Sequence, residues 1–170
     1  MTADRYRAVL GWFNARPAAK KLLRALSLGA VAAVYLLYAG LALLLVWRRD
    51  PQIGPFLVVP AVVFVLGTVL RRAINRPRPY ETLGFAPLFP KDTKGQSFPS
   101  RHCFSAACIA VAALPVLPAA ALLLAVLALV IALTRVLCGV HYISDVLAGL
   151  VFGAAASWLG SALWFCFIPY

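Results

Sequence analysis

Acidic residues are scarce in this chain of 170 residues: Asp and Glu number five against 16 Lys and Arg, for a formal net charge of +11. Histidine occurs only twice, as His102 and His141, and methionine once. Charged residues make up only 12% of the chain and hydrophobic ones 64%, which excludes an ordinary water-soluble domain and indicates an integral membrane protein. The four cysteines, Cys103, Cys108, Cys138 and Cys166, lack metal-ligand spacing and lie in or beside apolar segments, where small packed thiols are expected. No metal site and no cofactor is expected. The basic excess, set among apolar runs, is read as attraction to the anionic bilayer surface, with no nucleic-acid partner. Nothing in the pattern sets an oligomeric state.

Long apolar runs are what the chain does have. They lie near Ala25 to Val46, Ile53 to Leu70, Cys103 to Leu117, Ala119 to Leu133 and Val146 to Phe167. A helix satisfies its own backbone in lipid, so the expected fold is an all-α integral membrane protein with about five transmembrane helices in a single domain over residues 1–170. The third and fourth runs are shorter than the roughly 20 residues a span needs. The turn between them, Leu114 to Pro118, carries two prolines and is expected to be tight and interfacial, with a broken re-entrant hairpin as the alternative. No cleavable signal peptide is evident, because the first long run begins well inside the chain and is too long for a signal core; it reads as a retained anchor.

Ahead of that run, Tyr6, Val9, Leu10 and Phe13 share one helical face, while Arg5, Arg7, Arg16, Lys20, Lys21 and Arg24 lie in or just after the same segment. Residues 4–17 therefore read as an amphipathic helix lying on the membrane, with Asp4 available to cap its start. Trp12, Trp47, Trp158, Trp164 and Tyr170 read as interfacial belt residues.

The polar residues collect elsewhere. Residues 71–101, RRAINRPRPYETLGFAPLFPKDTKGQSFPSR, form the longest stretch without a span and the expected active-site loop. Pro77 and Pro79 should hold Arg76 and Arg78 in an extended segment. Arg72 and Arg76 are expected to anchor the helix end, whereas Tyr80 and Glu81 fit either the loop framework or the site. Threading the five runs through a bilayer brings Arg71 and Arg78, then Ser100, Arg101 and His102, then Arg135, His141 and Asp145 to one membrane face. Both histidines and one of the few acids fall in this set. Pro99 and Ser100 suit the opening turn of a helix, where free backbone N–H groups and the dipole favour an anion, and arginines present planar donors to phosphate oxygens. His141 and Asp145, four residues apart, would lie one turn apart on a helix, where the carboxylate can hold one ring nitrogen while the other attacks phosphorus. His102 can then protonate the leaving oxygen.

In these residues the chain resembles the type 2 phosphatidate phosphatase superfamily, membrane lipid phosphatases that share a fold with vanadium haloperoxidases. The family's lysine followed after six residues by Arg-Pro is matched by Arg71 and Arg78-Pro79; its Pro-Ser-Gly-His by Pro99-Ser100-Arg101-His102; its Ser-Arg, five residues, His, three residues, Asp by Thr134-Arg135, His141 and Asp145. The resemblance, spanning about Leu70 to Val151, implies a metal-independent phosphomonoesterase or diphosphatase working through a phosphohistidine on His141, with Arg71, Arg78, Ser100 and Arg135 around the phosphate. This chain departs from the pattern with Arg71 for lysine, Thr134 for serine and Arg101 for glycine. Arg101 would either meet a second phosphate or extend to lipid headgroups.

Undecaprenyl diphosphate, phosphatidylglycerophosphate and phosphatidate all suit such a site. A polyprenyl diphosphate ranks first, because Arg101 and the basic loop would neutralise its second phosphate; a non-catalytic phospholipid-binding protein is the other class. With five spans, 14 of the 16 basic residues share the face of the site, which by the positive-inside rule favours the cytoplasm for a multi-pass protein of the cell membrane.

Overall fold

The computed structural model describes residues 1–168, and among them the only regular elements are helices. They are α1 (Ala3–Asn14), α2 (Pro17–Arg48), α3 (Ile53–Ile74), a single turn α4 (Pro79–Thr82), α5 (Arg101–Ala112), α6 (Pro118–Leu137) and α7 (Ile143–Phe167). Four of them, α2, α3, α6 and α7, are long and apolar enough to cross a membrane. The chain is a multi-pass membrane protein.

The third run, Cys103 to Leu117, behaves differently from the other four. Helix α5 has 12 residues, a rise of about 18 Å against a hydrocarbon core of about 30 Å, so it does not cross by itself. Eight of those residues are buried, from Cys103 through Ala112. A helix apolar all round belongs inside a bundle, and α5 sits at the centre of this one, packed on α7, α6 and α3. The long helices show the reverse pattern, with Leu36, Leu43, Val65, Leu122, Leu129 and Val151 facing outward toward lipid.

Small residues let α5 and α7 approach closely. Gly149 and Gly153 of α7 lie against the backbone of α5; a Cβ at Gly149 would stand 2.8 Å from the carbonyl oxygen of Ser100. One turn farther, Ser157 Oγ donates to the carbonyl of Cys108 at 2.9 Å. On the other side Phe104 fills the space left by Gly67 of α3. This seam fixes the start of α5 against the start of α7.

The N-terminal helix ends at Asn14, and Pro17 at once opens α2, which carries Lys20, Lys21 and Arg24 in its first turns. Asp4 is not the cap. Thr2 holds that position, and Asp4 lies in the first turn paired with Arg7 at 3.3 Å. Nor is the apolar face of α1 turned to lipid: Tyr6 and Leu10 are buried in the protein, with Tyr6 stacked on Phe85 and Leu10 packed with Leu88, Cys138 and Val140. Of the expected belt aromatics, Trp47 and Trp158 are strongly exposed, Trp164 packs over Gly54, and Tyr170 lies outside the described residues.

Candidate active site

Three segments meet where α3, α5 and α7 begin or end on one face. Helix α3 stops at Asn75 in a left-handed conformation, φ 44°, and the chain runs extended through Arg76 to Arg78 before α4. Glu81 of α4 then organises the loop: one carboxylate oxygen accepts from the Arg78 backbone N–H at 2.8 Å, and the other from Gly95 N–H at 2.8 Å. Gly95 has φ +63°, a conformation costly to other residues, and its carbonyl accepts from Arg78 Nε at 3.1 Å. Tyr80 hydroxyl closes the same loop on the carbonyl of Thr93. Tyr80 and Glu81 are thus framework groups.

The cations of the site come next. Arg78 is buried and also donates from Nη1 to the carbonyl of Val140 at 3.2 Å, tying the loop to the residue before His141. Arg71, equally buried on the last turn of α3, donates to the carbonyl of Pro99 at 2.5 Å. Arg135, near the end of α6, has its Nε buried with no hydrogen-bond partner. Arg101 is exposed at the rim. His102 lies within electrostatic range of Arg135, Lys91, His141 and Arg101.

Ser100 is the N-cap of α5, fully buried. Its backbone N–H donates to the carbonyl of Asp145 at 2.9 Å, so the donors left for an anion are those of the first turn, Arg101 to Cys103. Ser100 Oγ has no oxygen or nitrogen partner, only the Cys103 thiol beside it. An arginine cluster, a helix start and an unpaired hydroxyl together form a cradle for an oxyanion.

His141 does not stand on a helix, as the four-residue spacing implied. It precedes α7, whose N-cap is Tyr142, and Asp145 is the third helical residue. Asp145 Oδ2 accepts from the Tyr142 backbone N–H at 2.9 Å and from Ser97 Oγ at 2.5 Å, and lies 3.6 Å from His141 Nδ1. Ser97 Oγ is also 3.3 Å from that nitrogen. Nδ1 therefore faces a serine–carboxylate pair, which leaves Nε2 as the nitrogen available for chemistry. Asp145 Oδ1 takes Arg76 Nη1 at 2.7 Å; Arg76 also donates to Ser144 Oγ and lies over the Tyr142 ring. Arg76 anchors the Asp145 carboxylate, beyond the helix end assigned to it from sequence.

Burial pushes the His141 imidazole down to about 4; its contact with Asp145 opposes the shift, and the charges of Arg78 and Arg71 add to it. The ring is thus neutral at ordinary pH, with a free lone pair. Sequence reasoning missed three contributors. Ser97 carries no spacing rule, Tyr6 donates to the carbonyl of His141 at 3.0 Å from the far end of the chain, and Lys91 turns out to belong to the cation cluster.

The PAP2 superfamily model matches residues 52–167. A lipid A 1-phosphatase of Rhizobium johnstonii is 38% identical over 109 residues, 60% of this chain and 44% of that protein. An undecaprenyl-diphosphatase of Sulfolobus acidocaldarius is 32% identical over 120 residues, 69% of this chain and 58% of that protein. The chain thus spans about half the length of the curated relatives it matches. Among solved structures, Aquifex aeolicus LpxE superposes with a TM-score of 0.72 at 24% identity, covering 95% of this chain and 94% of that one. A transmembrane PAP2-type phosphatidylglycerolphosphate phosphatase from Bacillus subtilis gives 0.71 at 23% identity, covering 98% and 88%. Both show the fold.

Proposed function

Since the chain belongs to the PAP2 superfamily, we propose that it dephosphorylates a membrane lipid phosphate or diphosphate, without a divalent metal, through a phosphohistidine on His141. One observation carries this reading. A neutral, buried imidazole, oriented through Nδ1 by Ser97 and Asp145, lies beside Arg71 and Arg78 and the unpaired Ser100 hydroxyl. Such an arrangement waits for a tetrahedral oxyanion.

In the first half-reaction the lone pair of His141 Nε2 forms the N–P bond as the P–O bond to the lipid breaks. His102, which takes up a proton when the anionic phosphate offsets the cations around it, gives that proton to the departing oxygen, and Asp145 offsets the positive charge on the His141 imidazole. Arg71, Arg78 and Arg135, with the α5 N–H groups, hold the three oxygens that gain charge in the transition state. In the second half, His102 takes a proton from water as that oxygen attacks phosphorus; inorganic phosphate leaves and His141 is neutral again. The unit performing this chemistry is the single domain over residues 1–170, with residues 71–101 as its active-site loop. A polyprenyl diphosphate is the first-ranked substrate; one relative is named an undecaprenyl-diphosphatase.

The test is phosphate release in detergent with chelator present, from a polyprenyl diphosphate, phosphatidylglycerophosphate and phosphatidate side by side. Activity persisting in chelator and abolished by His141→Ala is expected. Complete loss in chelator, restored by magnesium or zinc, contradicts the mechanism. We place the site on the cytoplasmic face of the cell membrane, since only Arg48 and Arg49, at the far end of α2, oppose the other basic residues. A cysteine at Lys94, in a background lacking the native thiols, should resist an impermeant thiol reagent in intact cells. Prompt labelling there reverses the orientation.

A further inference from the structure

Beside the oxyanion cradle lies a second, basic cavity of about 210 Å³, between α2, the loop and the end of α6. Arg24, Ser27, Phe89, Lys91, Arg135 and Cys138 line it, and no carboxylate is among its lining residues. It is held open by structure rather than by chance placement of long side chains. Leu88 N–H donates to the carbonyl of Cys138 at 3.1 Å, pinning the loop to α6. The next residue, Phe89, receives Lys20 and Arg24 of α2 on its ring, at 5.9 and 5.5 Å from the centroid. Pro90 follows and leads directly to Lys91.

Lys91 has no carboxylate within ion-pair distance among the described residues. Burial and then the charges of Arg78, Arg135, Arg71 and Arg101 push its ammonium down to about 8. Holding a lysine within electrostatic range of four arginines costs free energy unless an anion is to be bound. Arg135 forms the wall shared by the two sites: it belongs to the oxyanion cluster, lines the cavity, and has its Nε unpaired.

We propose that this cavity is a second phosphate subsite, in which Lys91 and Arg24, with Ser27, hold a phosphate group of the lipid other than the one transferred to His141. The proposal rests on the reading of His141 and the arginines as the transfer site. It makes Lys91 and Arg24 specificity residues: a substrate with two phosphate groups uses both sites, and a monophosphate only the first. The same phosphate chemistry is available from an anionic lipid neighbouring the substrate, so the experiment separates the two sources.

The test compares a polyprenyl diphosphate with its monophosphate in neutral detergent, for the wild type, Lys91→Gln, Arg24→Gln and Lys91→Arg. The ratio of kcat/KM between the two substrates is expected to fall about tenfold or more in each glutamine variant, as suits loss of a charge-assisted hydrogen bond. The fall should lie mainly in KM, and Lys91→Arg should restore much of it. An unchanged ratio overturns the proposal. A ratio that changes only when phosphatidylglycerol is added assigns the cavity to a neighbouring lipid and overturns it also. Calorimetry with inorganic pyrophosphate and orthophosphate reads the subsite without turnover: wild-type protein should bind pyrophosphate more tightly, and Lys91→Gln should lose that preference. That preference, with no lipid hydrolysed, would count against the enzymatic reading alone; equal binding of the two anions by the wild type counts against the subsite.

Discussion

Tyr6 donates its hydroxyl to the backbone carbonyl of His141 at 3.0 Å, across 135 residues of sequence. With Arg78 bonded to the preceding carbonyl, the residues leading into His141 are held from both sides. The N-terminal helix is thereby part of the site's support. Tyr6→Phe leaves the His141 carbonyl buried without its donor, and should destabilise the fold by about 1–3 kcal/mol. Thermal unfolding in detergent checks this, and kcat should fall more than KM rises.

Ser97 stands between His141 and Asp145, closer to each than they are to one another. Its hydroxyl spans the 3.6 Å gap and directs Nδ1. Ser97 is a positioning residue, so Ser97→Ala should lower kcat with little change in KM, since phosphate contacts stay in place. Ser97→Thr, which keeps the hydroxyl, should recover activity in part. A rise in KM of the same size as the fall in kcat would point to a collapsed cradle.

What the sequence revealed and what it hid divide along physical lines. The apolar runs had to become helices, because lipid offers no partner to an open backbone, and helix direction alone then brought Arg71, Arg78, Ser100, Arg135 and His141 to one face. Contacts made by loop packing had no such rule behind them. Arg76 looked like a helix-end anchor, and only the folded loop sets it on Asp145. Lys91 carries no spacing signal in the sequence, and only the Phe89 anchor sets it beside Arg135. Cys103 to Leu117 supplies most of the shorter apolar helix α5, whose central burial the sequence did not show because burial by protein and burial by lipid demand the same composition.

Protonation of His141 links activity to stability. Its pKa lies near 4 in the fold, below the ordinary value of 6.5, so the folded state favours the neutral ring and the unfolded chain takes up a proton first. The group's contribution to stability is complete above about pH 6.5 and is lost as pH falls toward 4. Unfolding midpoints measured between pH 4 and 8 should therefore drop on acidification more steeply for the wild type than for His141→Gln. Parallel curves would show that the imidazole is not held neutral.

The two histidines carry different halves of the proposed chemistry, and leaving-group ability separates them. His102 is the second residue of α5, beside the N–H groups of its first turn and within range of both Arg135 and His141. A lipid alkoxide is a poor leaving group and needs a proton as the P–O bond breaks, whereas p-nitrophenolate departs readily as the anion. Loss of a general acid should thus slow the lipid substrate by roughly 10²- to 10⁴-fold and the aryl ester much less. His102→Ala is expected to show that split. His141→Ala should abolish both reactions, because no leaving group compensates for a missing nucleophile. Turnover of a lipid monophosphate and of p-nitrophenyl phosphate, measured on purified variants with wild-type unfolding midpoints, checks the assignment; equal losses on the two substrates for His102→Ala would remove it from the general-acid role.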